Sequence, residues 1–300
     1  MSDMAHGAWA ASLTPLNDDL SIDHAAYAAH VDWLLERGAA GVAALGTTGE
    51  ANSFSVAERM ELIGHLARLN LPRDRVVIGT GCCAAPDTIA LTRSALAAGY
   101  SNVMMLPPFY YKGVSDEGIF RAYARVIEAV NDPALRVLIY DFPLMTGLKF
   151  STALLGRLHK AFPGVVIGVK NSSGEWSAME EANRQLPGFN VFAGTEQFLL
   201  ATLRAGGPGC ISATANVTVG KIAEVAAKWR EPNADALQEE ATRVRLELQK
   251  YPAIPALKEI MATASGRAAW RNLRPPLVNL DDAQVTALLR VARAEGFTPA

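Results

Sequence analysis

The residue in this sequence best suited to chemistry is Lys170, which ends the apolar run 165–169. The β-branched residues of this run do not alternate with polar ones, which predicts a strand buried on both faces. Because a cation is costly to bury, Lys170 either extends its ammonium group to water or is kept in the interior for a reaction. Condensation with a ketone suits a buried amine, since desolvation favours the neutral, nucleophilic form.

Further polar side chains stand where other apolar runs end. Thr47 and Thr48, between Gly46 and Gly49, follow the second run, and Tyr140 ends the fifth. A Schiff base weakens a bond two carbons away, and its chemistry needs proton transfer, for which Tyr140 is a candidate with Thr47 as relay. The glycines would let backbone amides approach a substrate carboxylate, with the Thr48 hydroxyl as a further donor. Each residue alone also fits a purely structural role.

The chain alternates short apolar runs with helical-period segments, which predicts a parallel sheet whose strands alternate with helices. Eight strands are expected, at residues 8–13, 41–45, 76–79, 102–106, 137–140, 165–170, 190–193 and 209–212. Eight even repeats are typical of an α/β fold of the (β/α)8 TIM-barrel class, with an open doubly wound sheet as the alternative. A barrel of this class builds its site at the carboxyl ends of the strands, so the polar residues above should meet there.

The domain organisation follows from the same count. Residues 1–230 are expected to form the catalytic barrel, and residues 231–300 a helical extension packed on it. Within the extension, helices are predicted over 235–251, 254–265 and 281–295, with two prolines separating the last two. The extension is too short and too amphipathic to be expected to fold as an independent domain.

Composition excludes several classes of function. The 28 basic and 30 acidic residues give a net charge of −2, which indicates no nucleic-acid partner. The absence of a long apolar run and of a signal-peptide pattern indicates no membrane association. Three cysteines without a CxxC pattern fit a reducing compartment, so a cytoplasmic protein is expected. The histidines have no ligand spacing, so no metal is expected, and the adjacent Cys82 and Cys83 are expected to be small buried residues.

Five motifs occur in order along nearly the whole chain: the loop 46–50, the pair Tyr110–Tyr111, Tyr140 followed by Pro143, and the runs 168–170 and 209–216. Together they resemble the dihydrodipicolinate synthase/N-acetylneuraminate lyase family. The resemblance implies a (β/α)8 barrel with a C-terminal helical extension, usually a homotetramer built as a dimer of dimers. It also implies a small-molecule 2-oxo acid substrate and no metal or cofactor.

The resemblance also implies roles for individual residues. Lys170 would form the Schiff base with pyruvate or another 2-oxo acid, and Tyr140 would transfer protons. Thr47 would relay protons and Thr48 would help to hold the carboxylate. Tyr111 would complete the relay from a neighbouring subunit.

Two further residues are implied as parts of the substrate pocket. The backbone of Ile211 would line it. Met145 stands where dihydrodipicolinate synthases carry an arginine that grips the carboxylate of the second substrate, and a thioether cannot replace that charged contact. The expected function is therefore a Schiff-base aldolase or dehydratase of a 2-keto-3-deoxy acid type.

Two alternatives remain open. One is dihydrodipicolinate synthase itself, which condenses pyruvate with aspartate semialdehyde, with another arginine holding the carboxylate. The other, from a different class, is a non-catalytic or phosphate-binding barrel in which Gly206, Gly207 and Gly209 would surround phosphate. Glu196, after the seventh strand, is expected either to contact substrate or to stabilise a helix start.

Overall fold

The eight predicted strands form one closed, parallel barrel in which each strand pairs with its neighbours in sequence and the eighth pairs with the first. The computed structural model describes residues 4–69 and 71–295. The strands are β1 (Gly7–Ala11), β2 (Gly41–Ala44), β3 (Val76–Gly79), β4 (Asn102–Met105), β5 (Arg136–Asp141), β6 (Val166–Asn171), β7 (Asn190–Ala193) and β8 (Gly209–Ser212). The prediction of a (β/α)8 barrel is confirmed, and the open sheet is excluded by the β1–β8 pairing.

Helices follow the strands and cover the outside of the barrel. They are α1 (His24–Glu36), α2 (Val56–Arg68), α3 (Ala85–Ala97), α4 (Asp116–Val130), α5 (Pro143–Thr146), α6 (Thr152–Ala161), α7 (Trp176–Gln185), α8 (Leu199–Arg204) and α9 (Ala215–Ala227). Ser55 caps α2 and forms a capping box with Glu58. The short helix α5 was not predicted, because a single turn carries no periodic signal.

The helical-period segment after the eighth strand predicts a helix around residues 219–229, but helix α9 begins earlier, at Ala215. Asn216 in its first turn is fully buried, where its side chain accepts from Leu13 N and donates to Ala11 O at the end of β1. The run of small and polar residues looks like a loop in sequence, but these contacts across the barrel closure fix it as helix.

Three more helices follow the barrel: α10 (Ala234–Leu248), α11 (Ala253–Ser265) and α12 (Asp282–Ala294). Their apolar residues pack against one another through Val244, Ile260 and Leu288. Leu257 on α11 also packs against Leu13, in the segment that follows β1. Helix α11 therefore lies against the end of the barrel at which the strands finish.

Side chains that point into the barrel form a separate apolar core, which includes Trp9, Ala43, Val77, Met104, Leu138, Tyr140, Ile167, Phe192 and Ile211. A larger core lies between the strands and the surrounding helices. Pairing of β5 with β6 sets Tyr140 beside Lys170 and Asp141 beside Asn171. Since neighbouring residues of a strand point to opposite faces, this register gives the first pair one face of the sheet and the second pair the other. No helix among the described residues has both the length and the apolar character needed to span a membrane.

Candidate active site

Lys170 lies near the end of β6, and only 4% of it is exposed. Its Nζ is 4.3 Å from the centroid of the Tyr140 ring, on the neighbouring strand. Over residues 4–69 and 71–295, Lys170 takes part in no ion pair. The lysine therefore does not extend to water, and an aromatic face rather than a carboxylate stands against its amine.

Tyr140 connects this amine to the loop after β2. Its hydroxyl lies 3.4 Å from Thr47 Oγ1, a contact in which either hydroxyl can donate to the other. The Tyr140 ring stacks on Phe142, with centroids 5.6 Å apart, so its orientation is fixed from the side. The structure thus brings Lys170, Tyr140 and Thr47 together, with the amine against the tyrosine ring and the threonine at its hydroxyl.

The loop after β2 is compact, and its shape depends on residues that the sequence did not single out. Leu45 and Glu50 take the left-handed conformation, with φ of 57° and 56°, whereas Gly46 and Gly49 do not. Glu50 N donates to Thr47 O over 3.0 Å, which closes the loop. A Cβ on Gly49 would lie 2.9 Å from a backbone oxygen of the β1 loop, so this glycine is needed for close packing.

A small cavity lies between Tyr140 and the loop after β2, and Thr48 and Gly49 are not among the residues that line it. Thr48 is buried, and Gly46 and Thr47 line the cavity with Tyr140. Asn52, from the short 3₁₀ turn that follows the loop, lines it too and was not identified from the sequence. An amide next to two hydroxyls can donate to a substrate and accept from it, so Asn52 is an additional candidate for substrate contact.

The loops after β4 and β5 present exposed apolar side chains. Tyr110 and Tyr111 are each 74% exposed, Leu144 is 83% exposed and Met145 is 54% exposed. Lys112 Nζ joins the two loops by donating to Phe109 O and Thr146 O, over 2.6 and 2.8 Å. Tyr111 forms no side-chain hydrogen bond to the described part of its own chain, so this chain alone does not bring it into the relay.

Ile211 in β8 and Glu196 after β7 are both buried, but in different surroundings. Ile211 points into the barrel and is fully buried. Glu196 is also buried, and its carboxylate accepts hydrogen bonds from Ser212 Oγ, over 2.5 Å, and from Thr214 Oγ1. Both carboxylate oxygens are thus bonded within the protein, so Glu196 joins two loops and is not positioned as a substrate contact.

Asp141 is a buried acid that the sequence did not single out. Its Oδ2 accepts from Asn171 Nδ2 over 3.4 Å, and its Oδ1 has no partner among the described residues. Burial raises the pKa of the Asp141 carboxyl to about 7. It follows Tyr140 directly in β5, so this ionisable group lies on the opposite face of the sheet from Tyr140 and Lys170.

Other expectations are corrected by the structure. Cys82 is half-buried beside Arg59, whose Nη1 donates to its sulfur over 3.0 Å, but Cys83 is exposed, so the expectation that both are buried was wrong. Gly206 and Gly207 precede β8. They therefore lie at the opposite end of the barrel from Lys170, where they cannot surround a phosphate in the candidate site.

Comparison with known proteins agrees with this geometry. Residues 4–295 match the sequence model of the dihydrodipicolinate synthetase family. An uncharacterised DapA-like lyase of Chloroflexus aurantiacus is 31% identical over 289 residues, which cover 94% of each chain. A 4-hydroxy-tetrahydrodipicolinate synthase of Thiobacillus denitrificans is 31% identical over 289 residues, with 93% of each chain covered.

Solved structures show the same likeness. Dihydrodipicolinate synthase from Agrobacterium tumefaciens superposes with a TM-score of 0.89 at 31% identity, covering 96% of this chain and 99% of the other. A prophage protein of the dihydrodipicolinic acid synthase family from E. coli K12, solved in complex with pyruvate, gives 0.87 at 26% identity, covering 97% and 99%. On the match over nearly its whole length, the chain belongs to the dihydrodipicolinate synthetase family of pyruvate-dependent Schiff-base lyases.

Proposed function

We propose that Lys170 forms a Schiff base with pyruvate or a related 2-oxo acid, and that the enzyme is an aldolase or dehydratase of the 2-keto-3-deoxy acid type. The observation that carries this proposal is the buried amine of Lys170 against the ring of Tyr140, whose hydroxyl meets Thr47. Neither a phosphate-binding nor a non-catalytic barrel requires a buried lysine in that position.

The proposed reaction begins when the neutral Nζ of Lys170 attacks the ketone carbon of the 2-oxo acid. The resulting carbinolamine takes up a proton on its oxygen and loses water, which gives the protonated imine. Loss of a C3 proton from the imine gives an enamine, whose C3 attacks an aldehyde carbonyl in the condensing direction. Hydrolysis of the product imine releases the product and restores the amine, and the cleavage direction is the reverse.

Tyr140 is proposed to carry the protons in these steps, because its hydroxyl is next to Thr47 and its ring lies against the amine. Thr47 relays them. Thr48, with the backbone of Gly46 and Gly49, is proposed to hold the substrate carboxylate. The backbone of Ile211 completes the pocket.

The second substrate is proposed to be an aldehyde, or the far end of a longer 2-oxo acid, without a carboxylate held at position 145. Met145 and Leu144 form an exposed apolar surface in α5, and a thioether forms no ion pair. Dihydrodipicolinate synthase activity remains the second candidate, since several similar proteins are named 4-hydroxy-tetrahydrodipicolinate synthases.

We further propose a cytoplasmic homotetramer in which residues 1–230 are the catalytic barrel and residues 231–300 its helical extension. Tyr110 and Tyr111 support the association, because two exposed aromatic side chains beside a candidate site are typical of surfaces that another protein covers. In this arrangement Tyr111 enters the relay of a second copy of the chain. No cofactor is included in the proposed reaction.

The test of the Schiff base is reduction with borohydride in the presence of pyruvate, followed by peptide mapping. We expect one pyruvate adduct, on Lys170. Lys258, which is also buried, is an internal control because its amine is paired with a carboxylate. Absence of an adduct, or an adduct on another lysine, would overturn the proposal.

The identity of the second substrate is tested through Met145. In the unaltered protein we expect condensation of pyruvate with aspartate semialdehyde to be slow compared with turnover of the best member of a panel of aldehydes and 2-oxo acids. M145R should raise the activity with aspartate semialdehyde by about tenfold or more, since a charge-assisted hydrogen bond contributes about 1.5–3 kcal/mol. L144R, one residue away, is the matched control. Fast turnover of aspartate semialdehyde without the arginine would favour the synthase instead.

A further inference from the structure

The carboxylate of Glu50, at the end of the loop after β2, is fully buried and is bound from the C-terminal part of the chain. Its Oε1 is paired with Nζ of Lys258 on α11, and its Oε2 accepts from the backbone N–H of Arg274 over 3.1 Å. Both contacts come from residues more than two hundred positions further along the chain. The acid thus joins the loop to the helices that follow the barrel.

Lys258 is as deeply buried as its partner, with 1% of its side chain exposed. Its Nζ also donates to Asn272 O over 2.8 Å, and burial lowers its pKa below the usual value. A buried ion pair is weak evidence for stability, because desolvation offsets most of the attraction. A pair kept at this depth and at this place therefore calls for another explanation, such as the fixing of one arrangement of the segments that it joins.

A short path leads from this pair to the reactive groups. Glu50 is in the left-handed conformation, which is costly for a residue other than glycine and persists where the surroundings impose it. Its backbone N–H donates to Thr47 O, and the Thr47 hydroxyl is 3.4 Å from that of Tyr140. Anchoring of the Glu50 side chain therefore fixes the backbone that carries the relay hydroxyl.

Arg274 reinforces the same attachment. Its guanidinium donates to Leu20 O and Ser53 O, forms an ion pair with Glu58 and lies 4.4 Å from the Phe54 ring. The segment around Arg274 is thereby fixed to the segment after β1, through Leu20, and to the residues that follow the loop after β2. The loop is held from its C-terminal side by the helical extension and has little freedom to move on its own.

We propose that Glu50, held by Lys258, is a positioning residue that places Thr47 for proton transfer, so that the helical extension determines the geometry of the reactive site. This inference rests on the proposed function, because it assigns Thr47 to the relay. Glu50 itself does not touch substrate in this account. It acts on the reaction only through the loop that it anchors.

The neighbouring acid on α11 provides a matched control. Glu259 accepts two hydrogen bonds from Arg271, over 2.7 and 2.8 Å, and so joins α11 to the 3₁₀ helix Ala268–Arg271. This pair belongs to the helical extension, as Lys258 does, but does not reach the loop after β2. Removal of the Glu259–Arg271 ion pair therefore measures the effect on activity of breaking an ion pair in the extension when Thr47 is not displaced.

The assay is exchange of the pyruvate methyl protons with deuterium from the solvent, which needs the imine and proton transfer but no second substrate. We expect Glu50→Ala to lower the maximal exchange rate by up to about 10²-fold, the effect of misplacing a reacting group by about 1 Å. Borohydride trapping on Lys170 should persist, and Glu259→Ala should exchange at the unaltered rate. Glu50→Gln keeps an acceptor oxygen for only one of the two donors, Lys258 and Arg274, so its exchange rate should lie between those of Glu50→Ala and the unaltered protein.

A double-mutant cycle separates positioning from a general structural effect. If Glu50 acts through Thr47, Glu50→Ala should cost little further activity once Thr47→Val has removed the relay hydroxyl. Losses that multiply in the double variant would overturn the inference, as would equal exchange rates in Glu50→Ala and Glu259→Ala.

A second variant serves as the control for a failure of Glu50→Ala to fold. If Glu50→Ala does not fold, the pair Glu50→Ala/Lys258→Met removes the anchor and leaves no unpaired buried charge, and the same outcomes apply to it. Failure of the proposed function has a different signature, since the unaltered protein would then show neither trapping nor exchange with pyruvate.

Discussion

Two lysines are buried among the residues that the structure describes, and their surroundings are opposite. Lys258 on α11 has a carboxylate and a carbonyl oxygen as partners, from Glu50 and Asn272. Lys170 at the end of β6 has the face of Tyr140 and, within the described residues, no carboxylate. Depth is the same in both cases, with each residue less than 5% exposed.

The difference shows that burial alone does not identify a reactive lysine. A buried ammonium group that is paired with a carboxylate acts as a structural link, as Lys258 does between α11 and the loop after β2. A buried amine without such a partner, like that of Lys170, is not held in an ion pair that attack on a ketone would have to break. The presence or absence of a carboxylate partner, rather than the extent of burial, therefore distinguishes the structural lysine from the candidate reactive one.

Replacement of each lysine by methionine is the strongest test of whether the two lysines have different roles. K170M should abolish pyruvate trapping and deuterium exchange, because no amine remains to form the imine. Its melting temperature should be equal to or above that of the unaltered protein, since the substitution removes a polar group without a carboxylate partner. Loss of stability together with retained exchange would contradict the assignment, and K170R, which keeps a charge but forms no imine, is the control.

K258M should act in the opposite way. It leaves the Glu50 carboxylate buried without its partner, and the free energy of unfolding should fall by about 3–5 kcal/mol in denaturant titration. Addition of E50Q should recover most of this loss, because the double variant buries no charge. R271M, which breaks the more exposed pair with Glu259, should cost about 1 kcal/mol or less. A K258M protein as stable as R271M would remove the distinction between the two lysines.

Asp141 extends the comparison to a buried acid with no cation at its carboxylate. The groups that act on it are the Asn171 amide and the backbone of Phe150, with the charges of Lys149 and Glu175 further away, and its own charge acts on the Tyr123 phenol of α4. Burial raises its pKa from 3.8 to about 7. The folded state therefore holds a proton that the unfolded state loses from about pH 4 upward.

The contribution of Asp141 becomes increasingly unfavourable as the pH rises from about 4 to about 7, and then stays constant. D141N should therefore be more stable than the unaltered protein at pH 8, by a few kcal/mol at most, and the difference should vanish near pH 4. Melting temperatures measured across this range test the prediction. A difference that does not vary with pH would show that the carboxyl titrates normally.

Much of the fold was predictable because its signals are local. Each strand is a short apolar run between turn residues, and eight such runs at even spacing leave few arrangements other than a closed barrel. Lys170 and Tyr140 were also identified from the sequence, since a polar residue at the end of an apolar strand is conspicuous. Helix ends were less certain, as at α9, where Asn216 makes its bonds across the barrel closure.

The sequence alone determined the barrel, the lysine at the end of its sixth strand and the loop expected beside it. Tertiary structure decided which buried charge has a partner. Glu50 and Lys258 are 208 positions apart, and no periodicity or motif connects residues at that separation. Only the packing of α11 against the end of the barrel brings them together, because an ion pair depends on distance in space and not on distance along the chain.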